Sequence, residues 1–325
     1  MLLFFVISDE TAAQSVEVLT SGTKTSLRGL CVVSDKIIWV SGSEGTIGRS
    51  VDKGKNWKWI TVKGFEKTEF RDIEAFDEKS AIIMGITEPA VILKTEDRGL
   101  TWKVCFYDTA KSTFLDAMEF WNEQSGIVLG DPVNGRFFIA RTFDGGKTWT
   151  NIPEENKPAA ITGEACFASS GSNIRKLNKK EAVFVSGGMV SNFFCRDEKI
   201  TLPLMQGKES TGANSLAVKN KQVMIAVGGD FNERNRNDSN CVITADGGKT
   251  WLFPQTLPSG YRSCIEYINK KNWITCGLTG VDHSVDDGKN FRTISKESFH
   301  VCRKAKKGKS VFLAGGNGKI GKLIL

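Results

Sequence analysis

The chain has 325 residues, 40% of them hydrophobic and 25% charged, with 33 glycines. That composition excludes extended disorder and describes a turn-rich globular protein. A net charge of +7, from 44 basic and 37 acidic residues, is too small an excess to call for nucleic acid and accounts for solubility instead. Length alone allows two domains, but barrels and propellers of this size fold as one.

Residues 1–8 read Met-Leu-Leu-Phe-Phe-Val-Ile-Ser, followed by Thr11-Ala12-Ala13. An apolar run before small residues has the character of a secretory signal with cleavage after Ala13. The run lacks a positive n-region and is short for an h-region, so its start is truncated or it is a hydrophobic terminus. Export to the periplasm or the exterior is the preferred reading, with residues 1–13 as the signal segment and 14–325 as a single domain. Seven apolar residues are too few to span a bilayer.

Residues 16–20, Val-Glu-Val-Leu-Thr, read as a strand with no partner nearby. From residue 27 the chain falls into units of about 40 to 53 residues, a period that marks repeated supersecondary units. Each runs strand, polar turn, strand ending in Gly, loop, strand, Asp-containing turn, strand. In the first unit the strands are 27–33, 36–41, 46–51 and 57–62. Apolar residues alternate or form short blocks, with no sustained 3.6 period, so the chain is all-β. Further units follow at about 70–107, 114–152, 164–204, 213–257 and 261–294, and the seventh begins near Phe299.

Five units carry the pattern Ser/Thr-x-Asp-x-Gly-x-Thr/Asn-Trp/Phe, at 50–57, 95–102, 142–149, 244–251 and 284–291. Asp accepts hydrogen bonds from backbone N–H groups a few residues on and Gly supplies positive φ, so each copy is a tight hairpin turn. Asp52, Asp97, Asp144, Asp246 and Asp286 are thus structural staples rather than catalytic acids. Trp57, Trp102, Trp149, Trp251 and Phe291 begin the returning strands as apolar anchors between sheets. The fourth unit has Phe194 to Lys199 in place of the turn.

The seventh unit stops after its third strand, and its segment 311–321 matches 39–48 of the first. If residues 16–20 supply the missing outer strand, first and last units close a ring without a ragged edge. The fold expected is a seven-bladed β-propeller closed by an N-terminal strand. At this point the turns resemble Asp boxes, the bacterial neuraminidase repeats of sialidases, sortilin-type receptors and other propellers. Gly-x-x-Gly-x-Ile ahead of the turn, at Gly42 to Ile47 and Gly315 to Ile320, resembles the photosystem II stability and assembly factor-like propellers over residues 16–325. The missing fourth turn and long loops in the third to fifth units point to an exported relative from a non-photosynthetic bacterium. The resemblance implies a non-enzymatic assembly or stability factor that binds protein or peptide.

In a propeller the loops after strands two and four share one face, opposite the aspartate turns, and loops on a rigid scaffold carry function. Two such loops are elaborated, 130–136 and 228–238, which makes Asp131, Arg136 and Asp230 candidates. Counting back from the Gly that ends strand two places Arg28, Arg71 and Asp116 at one equivalent position, 14 residues before Gly42, Gly85 and Gly130. Arg262 and His300 lie 15 before Gly277 and Gly315, and Glu164 opens the fourth unit. These residues ring the expected channel mouth, either as ion pairs between blades or as a site for an acidic peptide, carboxylate or glycan.

The alternative is a sialidase-like glycan binder or hydrolase, in which Asp116, Glu164, Tyr261 and Arg262 imitate parts of a catalytic set. Phe70-Arg71-Asp72-Ile73 only partly echoes a sialidase Phe-Arg-Ile-Pro motif, so no residue is assigned as catalytic and binding is favoured over catalysis. No dinucleotide, phosphate-loop or nucleophile-elbow motif is present, and no cofactor is expected. Two His and eight Cys without a CxxC pair give no metal site; Cys264 and Cys276 on consecutive strands leave a disulfide open. Basic turns at 175–180, 270–271 and 303–309 fall on the aspartate-turn face as solvated hairpins, with peripheral membrane contact as their further reading.

Overall fold

The computed structural model describes residues 14–20 and 22–324, so the expected signal segment lies outside the described residues. Seven antiparallel sheets are arranged as a seven-bladed β-propeller, with two 3-10 turns as its helical content among the described residues. Blade 1 comprises strands Leu27–Val32, Ile38–Gly42, Thr46–Ser50 and Lys58–Thr61, paired in chain order. Blades 2, 3 and 6 repeat that meander. In blade 7, Val301–Lys304, Val311–Ala314 and Ile320–Ile324 are completed by Ser15–Thr20, in register Ser15↔Ile324 to Thr20↔Ile320. The N-terminal strand therefore closes the ring and removes the open edge that blade 7 otherwise presents.

The aspartate turns have one geometry. In blade 2 the Thr95 hydroxyl donates to Asp97 Oδ1 at 2.9 Å and accepts from the Gly99 N–H at 3.0 Å, while Asp97 accepts from the Thr101 N–H and hydroxyl at 2.9 and 2.6 Å. Gly99 adopts φ +83°, which a side chain resists. The donors aimed at these carboxylates favour the charged form. The Thr101 hydroxyl and N–H hold Asp97 at about 2, and the Asn56 N–H does the same for Asp52. Each turn is tied to the inner hairpin of its own blade by a backbone bond: Lys53 N–H to Lys36 O, Arg98 to Lys79, Gly145 to Gln124, Gly247 to Gln222 and Asp287 to Lys271. Turns and inner hairpins thus form one face.

Aromatic anchors fill the seams. Trp102 packs in the core between blades 1 and 2, Trp149 between 2 and 3, Trp251 between 4 and 5, Phe291 between 5 and 6, and Trp57 against blade 7. Blade 4 replaces the long turn by a two-residue hairpin between Cys195 and Glu198, with Arg196 at φ +55°.

Blade 4 also corrects the expected boundary. Glu164 does not open its inner strand; that strand is Ile174–Lys176, and Glu164–Ala165 pairs with Gly187–Gly188 at the rim of the blade 5 sheet. The intervening Ser169-Ser170-Gly171-Ser172-Asn173 has no apolar alternation to pair as a strand. It leaves the sheet and enters the channel.

Trp251 is 7% exposed, donates from Nε1 to Gly248 O at 2.9 Å and packs on Phe193 at 5.2 Å between ring centroids. Trp251→Ala is expected to lower the free energy of unfolding by about 3–5 kcal/mol in urea denaturation.

Candidate functional site

The loop 168–173 plugs the channel. Ser169 Oγ donates to Asn214 Oδ1 at 2.7 Å, Ser170 Oγ to Ser263 O at 2.7 Å, and Ser172 Oγ to Ser215 Oγ at 2.7 Å. Arg303 of blade 7 donates to Ser170 O and Gly171 O at 2.7 and 3.0 Å, and Arg28 of blade 1 to Ser169 O at 3.3 Å. Gly171 has φ +59° and lies so close to Asp72 of blade 2 that a Cβ here would sit 2.2 Å from the carboxyl carbon. Small hydroxyl side chains suit this crossing, because they satisfy backbone and each other in a space without room for long chains. The plug divides the channel into a recess on the loop face and a funnel on the aspartate-turn face.

The recess is lined through a repeated irregularity. Leu27 pairs with Gly42 but Gly29 pairs with Ser41, which leaves Arg28 as the extra residue of a bulge. Arg71 is left in the same way between Phe70 and Asp72, Asp116 between Leu115 and Ala117, and Asn214 between Ala213 and Ser215. A bulge re-aims one side chain out of the pleat. The count of 14 residues that grouped Arg28, Arg71 and Asp116 applies equally to Asn214 and Gly228, a signal the sequence reading passed over.

Arg262 follows a different register. Its N–H bonds Gly228 O of blade 5, as Leu27 N–H bonds Gly315 O of blade 7, so it occupies the core-facing position and Ser263 the bulge-equivalent one. A one-residue offset moves a side chain to the other face. Arg262 is 0% exposed and paired with Asp282, and it also donates to Thr279 Oγ1, Ser259 Oγ and Tyr261 O. It has no place at the mouth.

The other candidates separate by their partners. Glu164 is buried and accepts from Ser186, Asn192, Lys199 and the Ile161 N–H. Asp230 is buried, accepts from the Asn232 N–H at 2.9 Å and lies 3.5 Å from Lys208 Nζ. Arg136 donates to Lys157 O at 2.6 Å, on the blade 3 rim. Asp131 accepts from the Cys166 N–H at 2.8 Å and lines a cleft of about 400 Å³ with Pro132, Ile161 and Glu164. Asp116 is 0% exposed and neither of its carboxyl oxygens makes a hydrogen bond, although the Ala168 amide stands near. Burial and the neighbouring Asp131 push its carboxyl well up, and burial raises Asp131 to about 6.

The basic side chains of the mouth are Arg28 and Arg71, both charged, with His300 beside them. Burial and then the Arg71 charge lower Arg28, while burial, Arg28 and Arg71 together hold His300 down to about 3, neutral at physiological pH. Arg71 makes one weak ion pair, 3.6 Å to Glu69, and its Nε has no hydrogen-bond partner. Two adjacent guanidinium groups whose one carboxylate contact is that 3.6 Å pair constitute an anion-receptive pair.

Beyond the plug, the funnel encloses about 250 Å³ and is lined from all seven blades. Its charges are mostly matched: Arg175 lies 3.4 and 3.6 Å from Glu119 and Glu266, and Lys306 pairs with Glu74. Asp72 accepts from the Ile73 and Met118 N–H groups at 2.8 and 2.7 Å, yet burial raises it to about 7. Nearby, Cys264 and Cys276 are direct cross-strand partners and are free thiols.

No family model matches the chain. Vacuolar protein sorting/targeting protein 10 from two Ajellomyces capsulatus strains, G186AR and H143, is 24% identical over 236 residues; the match covers 67% of this chain but only 15% and 16% of those proteins. Similar solved structures include YCF48 bound to D1 peptide, with TM-score 0.68, 16% identity and 97% and 96% of the two chains covered. YCF48 from Cyanidioschyzon merolae has TM-score 0.68 and 14% identity over 95% and 98%. The WD40 propeller domain of Doa1 has TM-score 0.65 and 12% identity over 97% of both chains. At these identities the likeness is one of fold.

Two outcomes test these placements. Arg262→Ala strands Asp282 and is expected to lower unfolding free energy by about 3–5 kcal/mol, whereas Arg71→Ala stays within about 1 kcal/mol of wild type. For Asp72, the unfolded chain loses its proton near 3.8 and the folded chain near 7, so its contribution is full at low pH and is lost as pH rises through about 7. Urea melts from about pH 4 to 7 are expected to fall less steeply for Asp72→Asn than for wild type.

Proposed function

We propose that this chain is a binding propeller that holds an anionic segment of a protein or peptide in the recess opposite its aspartate turns, and that it serves as an assembly or stability factor. The carrying observation is the adjacent Arg28 and Arg71, placed at the mouth by equivalent bulges, with Arg71 lacking a strong carboxylate partner. Guanidinium forks recognise planar carboxylates with direction as well as charge. The plug, held by Asn214 and Arg28 through Ser169, closes the channel below the recess, so a ligand does not pass through. Propellers of like fold include one bound to a peptide, which supports this reading. The aspartate turns are, on the same proposal, Asp boxes of the neuraminidase-repeat kind.

The residues that a glycoside mechanism requires are occupied elsewhere. Glu164 is ion-paired with Lys199 at 2.7 Å, Arg262 is bound to Asp282, and the Tyr261 hydroxyl donates to Asn214 Oδ1 at 2.7 Å with burial raising it to about 12. Glu164 shares the cleft of about 400 Å³ with Asp131, but there it is held by Lys199, Ser186 and Asn192, and Asp131 by the Cys166 N–H.

The test is fluorescence anisotropy on a panel of labelled peptides, acidic and neutral. An acidic member is expected to bind wild type, and Arg28→Ala/Arg71→Ala to weaken it at least about 10-fold, or about 1.4 kcal/mol. Equal affinity of the double variant removes the site, and preference for the neutral peptides removes the ligand class.

A further inference from the structure

The opposite face carries a separate charge pattern. The inner hairpins of blades 4 to 7, at 177–181, 219–223, 269–272 and 305–310, bear the exposed Lys179, Lys180, Lys221, Lys270, Lys271 and Lys307, none in an ion pair. The acid on these hairpins, Glu181, is engaged by Arg196 and Asn178. Hairpins of blades 1 to 3 instead mix Asp35, Asp77, Glu78 and Glu123 with Lys36 and Lys79. The lysines therefore form a crescent over half of the ring.

Outside it stand single apolar side chains at the tips of the aspartate turns. Val51 is 45% exposed, Leu100 64%, Phe143 67% and Val285 55%. Phe143 is held outward by Arg141, whose guanidinium lies 4.9 Å from the centroids of both Phe143 and Trp121. Because each turn is hydrogen-bonded to the hairpin beside it, lysines and apolar tips share one end of the propeller.

We propose that the aspartate-turn face docks peripherally on an anionic lipid bilayer surface, with the lysine crescent drawn to the headgroups and the turn tips inserted at the interface. A protein partner calls for a contiguous apolar centre, and these tips stand singly, on blades 1, 2, 3 and 6. Nucleic acid calls for aromatic stacking among the cations, and the hairpins of blades 4 to 7 have no aromatic at their tips. Lysines on flexible stems suit a diffuse negative surface, each contributing about 1 kcal/mol near it, and isolated apolar side chains add shallow insertion. Docking in this way leaves the Arg28–Arg71 recess facing solution.

Sedimentation of the full chain with vesicles of phosphatidylcholine alone, or mixed with phosphatidylglycerol, tests the idea at about 0.1 M salt. Binding is expected only to the mixed vesicles and to weaken as salt rises. Lys179→Glu/Lys180→Glu/Lys270→Glu/Lys271→Glu is expected to reduce partitioning at least about 100-fold, and Leu100→Ser/Phe143→Ser to reduce it several-fold. Arg28→Ala/Arg71→Ala binds vesicles as wild type does, which separates this face from the recess. The substituted lysines, Leu100 and Phe143 are exposed, and unchanged circular dichroism confirms folding of every variant. Absence of vesicle binding, equal binding to both vesicle types, or undiminished binding by the lysine variant overturns the proposal, as does capture by heparin without capture by vesicles.

Discussion

Seven twisted sheets set around an axis leave a channel that the side chains of their inner strands do not fill, and polar groups lining it need partners. The loop 168–173 meets that constraint. Its serines and backbone carbonyls bond to blades 1, 5, 6 and 7, and its glycine rests against Asp72 of blade 2. The plug couples the blades at the axis as the tryptophan anchors couple them at the seams. It also turns a pore into two blind depressions of different chemistry.

The same residue type behaves oppositely on either side of that architecture. Asp97 in an exposed turn is surrounded by donors and held at about 2, whereas Asp72 in the channel is raised to about 7 by burial despite two backbone donors. Desolvation outweighs hydrogen bonding only where water is excluded. Asp116 is likewise pushed well up, by burial and by Asp131 beside it. The recess therefore sets the raised carboxyls of blade 3 beside the arginines of blades 1 and 2, and burial together with those arginines keeps His300 neutral.

Division of labour between the faces follows from strand direction. Bulges at the start of the inner strands aim Arg28, Arg71, Asp116 and Asn214 at the recess. The turns and hairpins at the other end carry lysines and apolar tips where nothing in the fold needs them. A rigid ring allows both without conflict, since the two sets stand at opposite ends of the inner strands.

The sequence by itself determined the all-β class, the blade count, the aspartate turns and the ring closure, because each rests on local turn chemistry or on a period repeated many times. It also located the bulged positions, through the constant spacing of Arg28, Arg71 and Asp116 from the glycine that ends the next strand. Only the tertiary structure decided the rest. Arg262 differs from those positions by one residue, and strand pairing sends that residue into the core beside Asp282. Glu164 looked like a strand start until the serine loop was seen to leave the sheet. The plug is legible in no local pattern, since what makes Ser169, Ser170 and Ser172 channel residues is the presence of distant blades whose polar groups they satisfy.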